Sequence, residues 1–236
     1  MLLPGPLKGL FRGSRGGQPG NGLPSPGNGG RSLFTARSAD DDPDPYTRTS
    51  RGLEEFFTYI RDQSGLTILD LGGATQKNVS FITDLGHRLY SEDFLQILND
   101  TFGVADTVDQ SNPGRIEYFL KQTLDYPDAQ FDGVLVWDAL EYLNPVLLGA
   151  VVERLHKIVR PKSYMLAFFH ADYKLDAVPL YTFRIEEVNA LQVSQHGMRR
   201  PVQLYNNRSL EKLFGRFESV KFFLTRERLR EVIIKA

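Results

Sequence analysis

Two rhythms of apolar and polar positions alternate along this chain. After Thr49-Ser50, the residues Leu53, Phe56, Phe57 and Ile60 recur at three- and four-residue intervals. That spacing predicts a helix with one apolar face, capped by Thr49 or Ser50 and stopped at Gly65. The run Leu66-Thr67-Ile68-Leu69 has strand length and ends on Asp70-Leu71-Gly72-Gly73-Ala74. Helical spacing returns from Asn78 to Leu85, with Val79, Phe81, Ile82 and Leu85 expected to face inward. A second short strand, Arg88-Leu89-Tyr90-Ser91, ends in Glu92-Asp93. Leu95, Leu98 and Phe102 mark a helix over 94–102, and the polar stretch 104–114 reads as a loop. Periodicity leaves Ile116-Glu117-Tyr118-Phe119-Leu120 open between a strand and a helical turn.

The second half repeats the alternation and then breaks it. Asp125-Tyr126-Pro127-Asp128 is a turn, and Gly133-Val134-Leu135-Val136-Trp137 is apolar on both faces, as a central parallel strand should be. Asn144-Pro145 opens a helix with the stripe Leu147, Val151, Leu155 and Ile158, which Pro161 is expected to stop. Tyr164 to Phe169 is the next buried strand. Tyr181-Thr182-Phe183-Arg184-Ile185 and Ala190-Leu191-Gln192-Val193 read as a hairpin or cover inserted around 172–205. Asn206 or Asn207 caps a helix through Leu210, Leu213 and Phe214. Val220 to Leu224 and Arg230 to Ile234 are two strands across a short turn, so they must pair antiparallel. The expected fold class is α/β: a doubly wound, Rossmann-like sheet, mostly parallel, with an antiparallel C-terminal strand pair.

Composition adds a tail and removes some chemistry. With 236 residues, 41% of them hydrophobic, the chain suits one ordinary domain plus an appendage. Residues 1–38 hold ten Gly, five Pro and five basic residues with no acid, too little apolar surface to offset ordering entropy. They are read as disordered, and Asp40-Asp41-Asp42-Pro43-Asp44-Pro45 closes the linker, which leaves residues 46–236 as the domain. Arg15-Gly16-Gly17 is similar to RNA-binding Gly/Arg tails, in a single copy; Leu7 to Phe11 could touch a membrane surface but is too short to anchor. A net charge of −1 gives no whole-molecule argument for nucleic acid. Zero Cys excludes disulfides, thiolate metal sites and Cys nucleophiles. The lack of an apolar run near 20 residues, and of a basic start before an apolar run, leads to the expectation of no membrane span, no secretory signal and a cytoplasmic location. The sequons Asn78-Val79-Ser80 and Asn207-Arg208-Ser209 are then chance matches.

Chemistry concentrates on strand, small-residue turn, helix, strand, acid. Small residues let the backbone approach a ligand, and the following helix offers unpaired N–H groups there. An acid about 20 residues further on stands where a ribose diol would seek acceptors. On Asp70-Leu71-Gly72-Gly73-Ala74, Asp93, Tyr126 to Asp132, Trp137 to Leu143, Leu155 to Lys162 and the closing strand pair, the chain resembles the class I S-adenosylmethionine-dependent methyltransferases from about Leu53 to Ala236. The resemblance implies S-adenosylmethionine as cofactor, held by Asp70, Gly72, Gly73 and Ala74, with Asp93 on its ribose. It also implies that Trp137 and Asp138 border the methionine end. The chain departs from the family pattern at Ala74 and Gln76, where glycines are common, and at Lys121-Gln122, where many members have an acid facing the adenine. Asp70 could equally cap the following loop, and Trp137 could equally be core.

Four histidines are scattered, with no pair at metal-ligand spacing on one element, so no metal is expected. His170 ends the fifth strand of the expected sheet and is the candidate general base, with a satisfied strand-end histidine as the alternative. Methyl transfer from a sulfonium depends chiefly on alignment and does not always need a base. The sequence therefore reads as an S-adenosylmethionine-dependent methyltransferase with an unidentified small-molecule acceptor. A non-catalytic relative acting through partners is the second reading, and an RNA-directing tail the third.

Overall fold

The computed structural model describes residues 45–103, 109–171, 176–225 and 229–236. The expected tail and nearly all of its acidic linker lie outside these residues. The chain divides between Thr35 and Ala36, and the described residues all belong to the second unit.

That unit begins with strand β1 (Tyr46–Thr49) and helix α1 (Arg51–Ile60), whose first turn is capped by Ser50 Oγ accepting from the Leu53 amide at 3.1 Å. Strand β2 (Thr67–Asp70), helix α2 (Gln76–Asp84), strand β3 (Arg88–Ser91) and helix α3 (Phe94–Phe102) follow. Helix α4 (Pro113–Thr123) comes next, started by Asn112 as cap and Pro113 at the first helical position. Strand β4 (Phe131–Trp137) leads through a 3₁₀ turn (Ala139–Tyr142) into helix α5 (Pro145–Ile158), which runs directly into strand β5 (Val159–His170). Strands β6 (Val178–Glu187) and β7 (Ala190–Arg199) form a hairpin. Helix α6 (Asn207–Leu213), strand β8 (Ser219–Leu224) and strand β9 (Leu229–Lys235) close the chain.

Six strands form the main sheet in the order β3-β2-β4-β5-β9-β8, parallel from β3 to β5 and antiparallel across β5–β9 and β9–β8. This is the doubly wound sheet expected, with its antiparallel C-terminal pair. Strand alternation sends successive side chains to two separate cores. Leu69, Val134, Val136, Met165, Ala167 and Phe169 face α3 to α6, whereas Ile68, Leu135, Trp137, Leu166 and Phe168 face α1, α2 and the hairpin. Among the described residues no helix is long and apolar enough to cross a membrane.

The structure adds to some readings of the sequence and corrects others. The expected hairpin is present, and β7 also pairs antiparallel with β1, giving a second sheet of order β1-β7-β6. Residues 116–120 are helical, because Asn112 and Pro113 start the helix several residues earlier and Phe119 then turns into the core. Pro161 does not stop α5; the helix ends at Ile158 and Pro161 lies within β5, where its chain is exposed. On α2, Ile82 is buried and Phe81 and Leu85 pack against the core as expected, but Asn78 is buried where Val79 is only partly covered.

Candidate active site

Strands β2 and β4 are neighbours, and β2 continues to β3 on one side while β4 continues to β5 on the other, so the connections from their carboxyl ends depart in opposite directions. Such a switch point opens a crevice at the strands' carboxyl ends. Here it holds a cavity of about 140 Å³, lined by Gly72, Asp93, Trp137 and Asp138 at the carboxyl ends of the main-sheet strands, by Leu95 of α3, and by Tyr181, Thr182, Phe183 and His196 from the hairpin.

The turn after β2 is laid against the end of β3. The Gly72 amide donates to Asp70 Oδ1 at 2.8 Å, the Gly73 amide to the Glu92 carbonyl at 3.1 Å, and Gly72 bridges Asp93. Gly73 has φ +82°, a conformation that resists any side chain. Asp93, exposed at the cavity, caps α3 through Oδ1 and the Gln96 amide at 3.0 Å. Glu92 turns elsewhere, accepting from the Tyr126 hydroxyl.

Asp70 lies beneath the turn, fully buried. Its carboxylate accepts from Trp137 Nε1 at 2.6 Å, from the Gly72 amide and from Asn78 Nδ2 at 3.0 Å. Burial pushes its carboxyl up, and those three donors pull the other way. Asn78 also donates to the Phe183 carbonyl at 3.1 Å and accepts from the Ile185 amide at 2.8 Å, which ties β6 to the turn. Trp137 stacks on Phe183 with ring centroids 5.2 Å apart and an interplanar angle of 11°. It has φ 56°, an uncommon backbone state for an aromatic residue that is held only where the surroundings fix it.

Asp138 is 3% exposed, and its Oδ2 has no hydrogen-bond partner among the described residues. Burial pushes its carboxyl up to about 7; neighbouring Glu141 adds to the rise, and His170 opposes it. Behind it, Glu141 takes both its oxygens to His170: Oε1 accepts from the His170 amide at 2.7 Å, and Oε2 lies 2.6 Å from Nδ1. Burial pushes the Glu141 carboxyl up, with the His170 contacts opposing.

Of the residues singled out from the sequence, Gly72, Asp93, Trp137 and Asp138 therefore meet at one cavity. Gly73 flanks it beside Asp93, Asp70 supports it from below, Ala74 is exposed and does not line it, and His170 lies behind Asp138. Sequence reasoning missed Asn78 and Glu141. Asn78 stood in an apparent glycosylation sequon, and Glu141 was the one acid of an otherwise apolar turn leaving β4.

No family model matches this chain, and no curated protein matches it. Among solved structures, it is similar to a SAM-dependent methyltransferase from Archaeoglobus fulgidus, with 18% identity over 78% of this chain and 91% of that one and a TM-score of 0.46. It is also similar to 1,6-didemethyltoxoflavin-N1-methyltransferase from Burkholderia thailandensis, whose structure holds 1,6-didemethyltoxoflavin and S-adenosylhomocysteine; identity is 13% over 78% and 76% of the two chains, with a TM-score of 0.43. A SAM-dependent methyltransferase from Methanosarcina mazei matches at 14% identity over 75% and 94%, with a TM-score of 0.44.

Proposed function

We propose that this chain is an S-adenosylmethionine-dependent methyltransferase acting on a small-molecule acceptor, with its cofactor site in the crevice between β2 and β4. The observation that carries this reading is the convergence of the Gly72-Gly73 turn, Asp93 and Asp138 on one cavity at the switch point of the sheet. The donor set fits the cofactor's polar ends. Asp138 offers a buried carboxylate oxygen with no partner among the described residues, suited to an ammonium group. Asp93 offers an exposed carboxylate beside a close backbone turn, suited to a ribose diol.

S-adenosylmethionine, when bound, supplies a methyl group on a cationic sulfur. The chain's own part is to bind, orient and exclude water. Gly72 and Gly73 admit a ligand close to the backbone, and Trp137 and Phe183 form an apolar wall. The hairpin covers the chamber, and His170 stands ready behind Asp138 as a proton acceptor.

A second reading, a non-catalytic relative, is favoured by the size of the cavity and by Asp70. At about 140 Å³ the cavity is less than half the roughly 300 Å³ of the smallest pockets that enclose drug-sized ligands. Asp70 also spends its carboxylate on the Trp137–Asn78 network. Isothermal titration with S-adenosylmethionine and S-adenosylhomocysteine separates the two. Micromolar binding, weakened by Asp138→Asn, supports the enzyme, and no binding at millimolar ligand supports the non-catalytic relative.

A further inference from the structure

We infer that the acceptor of the proposed reaction is received beneath the β6–β7 hairpin beside His170, and that Glu141 is the positioning residue that makes His170 a proton acceptor. The inference rests on the methyltransferase reading and names its acceptor class: a neutral molecule whose nucleophilic oxygen or nitrogen carries a weakly acidic proton.

Three buried polar atoms lack a hydrogen-bond partner among the described residues in this region: Asp138 Oδ2, Tyr142 Oη and His170 Nε2. They lie on the segments leaving the carboxyl ends of β4 and β5. Their charges act on one another: His170 and Glu141 act on Asp138, and Asp138 and Glu141 act on Tyr142. Buried networks that only hold a fold together are satisfied internally, because an unmet buried donor or acceptor is costly. With Asp138 Oδ2 assigned to the cofactor's ammonium group, Tyr142 Oη and His170 Nε2 mark the place of a second occupant with hydrogen-bonding groups.

The roles follow from the hydrogen bonds. Glu141 Oε2 lies 2.6 Å from His170 Nδ1; a carboxylate there accepts from Nδ1–H and so favours the tautomer with its lone pair on Nε2. The same carboxylate stabilises the imidazolium formed when Nε2 gains a proton. Other charged or titratable groups face this pair. Asp138 and Tyr142 come from the segment after β4, Tyr181 from β6, Arg230 from β9 and Tyr205 from the stretch before α6. Two buried carboxyls disfavour an anionic acceptor, which would need no base in any case. The Tyr181 ring lies over the imidazole with centroids 6.1 Å apart, so the hairpin roofs the place where the acceptor meets Nε2. His170 Nε2 then takes the proton that the acceptor's oxygen or nitrogen gives up as that atom bonds to the methyl carbon. The electron pair of the breaking carbon–sulfur bond stays on sulfur, and the imidazolium returns its proton to water.

The test measures transfer of labelled methyl from S-adenosylmethionine by the full chain to a panel of small phenols, alcohols, amines and carboxylates. Calorimetry with S-adenosylhomocysteine and an NMR spectrum of the His170 ring nitrogens, which reports the tautomer, accompany it. Transfer to an O–H or N–H acceptor is expected. His170→Gln should lower kcat by about 100-fold or more. Glu141→Gln should lower it at least roughly tenfold and alter the tautomer signature of the His170 ring nitrogens, with S-adenosylhomocysteine affinity unchanged in both. Tyr142→Phe removes an atom without a partner, so the protein should fold normally; acceptor KM should rise by about tenfold. Unchanged kinetics in His170→Gln and Tyr142→Phe, transfer confined to carboxylates, or no O–H or N–H acceptor turned over by cofactor-bound protein would each overturn the inference. Failure of the wild-type chain to bind either adenosyl ligand overturns the methyltransferase reading itself.

Discussion

Trp137 Nε1 donates to Asp70 Oδ1 at 2.6 Å, joining the end of β4 to the end of β2 across the base of the crevice. The same indole stacks on Phe183 of the hairpin, so one side chain fixes the turn, the sheet and the cover. Trp137→Phe keeps an aromatic ring but leaves a buried carboxylate with one donor fewer. A bond to a charged group contributes about 1.5–3 kcal/mol, and urea unfolding should lose that much with an unchanged m-value.

Gly72 is required by that indole. A Cβ built there would lie 2.6 Å from Trp137 Cδ1 and 2.8 Å from Nε1. Gly72→Ala should cost roughly 1–3 kcal/mol through forced displacement of the ring. It should be non-additive with Trp137→Phe, because the two side chains share the contact. A double-mutant cycle in urea reads the coupling.

Asp93 is more than a strand-end carboxylate, since it caps α3. Asp93→Ala should therefore cost about 0.5–2 kcal/mol of stability, whereas Asp93→Asn keeps a capping oxygen and should cost little. Both remove the charge proposed to face the diol, so affinity for S-adenosylhomocysteine should fall at least roughly tenfold in each. Glu92→Ala should leave that affinity nearly unchanged, because Glu92 is engaged by Tyr126 away from the cavity. Calorimetry and thermal melts on the three variants separate binding from folding.

Asp138 should make the protein less stable as pH rises. Its carboxyl stands at about 7 in the fold against an ordinary value of 3.8, so between those values the native state binds more protons than the unfolded chain. The contribution is fully present below 3.8 and is lost as pH rises through about 7. Asp138→Asn removes that loss. Its melting temperature should exceed the wild type's at pH 8 by about 2–4 °C per kcal/mol recovered, and the difference should shrink toward pH 4.

His87 works in the opposite direction. It is buried just before β3, both ring nitrogens lack partners among the described residues, and burial lowers its pKa from the ordinary 6.5. The unfolded chain then binds the proton more readily, so stability is complete above 6.5 and falls as the medium becomes more acidic. His87→Leu should flatten this acid limb in melts taken between pH 7 and pH 5.

Much of the architecture was legible because it is written in local periodicity. Leu53, Phe56, Phe57 and Ile60 could form only one helix face, and the run ending at Trp137, apolar on both sides, could only be a central strand. Asp70, Gly72, Asp93 and Asp138 stood out because the ends of parallel strands are where a doubly wound sheet gathers its polar groups. Other features depended on partners far away in the chain. Tyr46–Thr49 is a strand because β7 pairs with it, Tyr46 opposite Val193, and the Arg48–Glu231 ion pair at 2.5 Å anchors it to β9. No local signal encodes a pairing so distant. Asn78 is inward because Asp70, Phe183 and Ile185 together satisfy its amide, which hydrophobic periodicity scores as a polar, outward position. His170 and Glu141 are 29 residues apart, and only the parallel pairing of β4 with β5 brings them to 2.6 Å. The sequence by itself determined the order of elements and the sheet edge that carries the chemistry. Tertiary structure decided which polar side chains there are spent on holding the fold and which are left for a ligand, because that depends on hydrogen-bond partners the chain supplies only once it has folded.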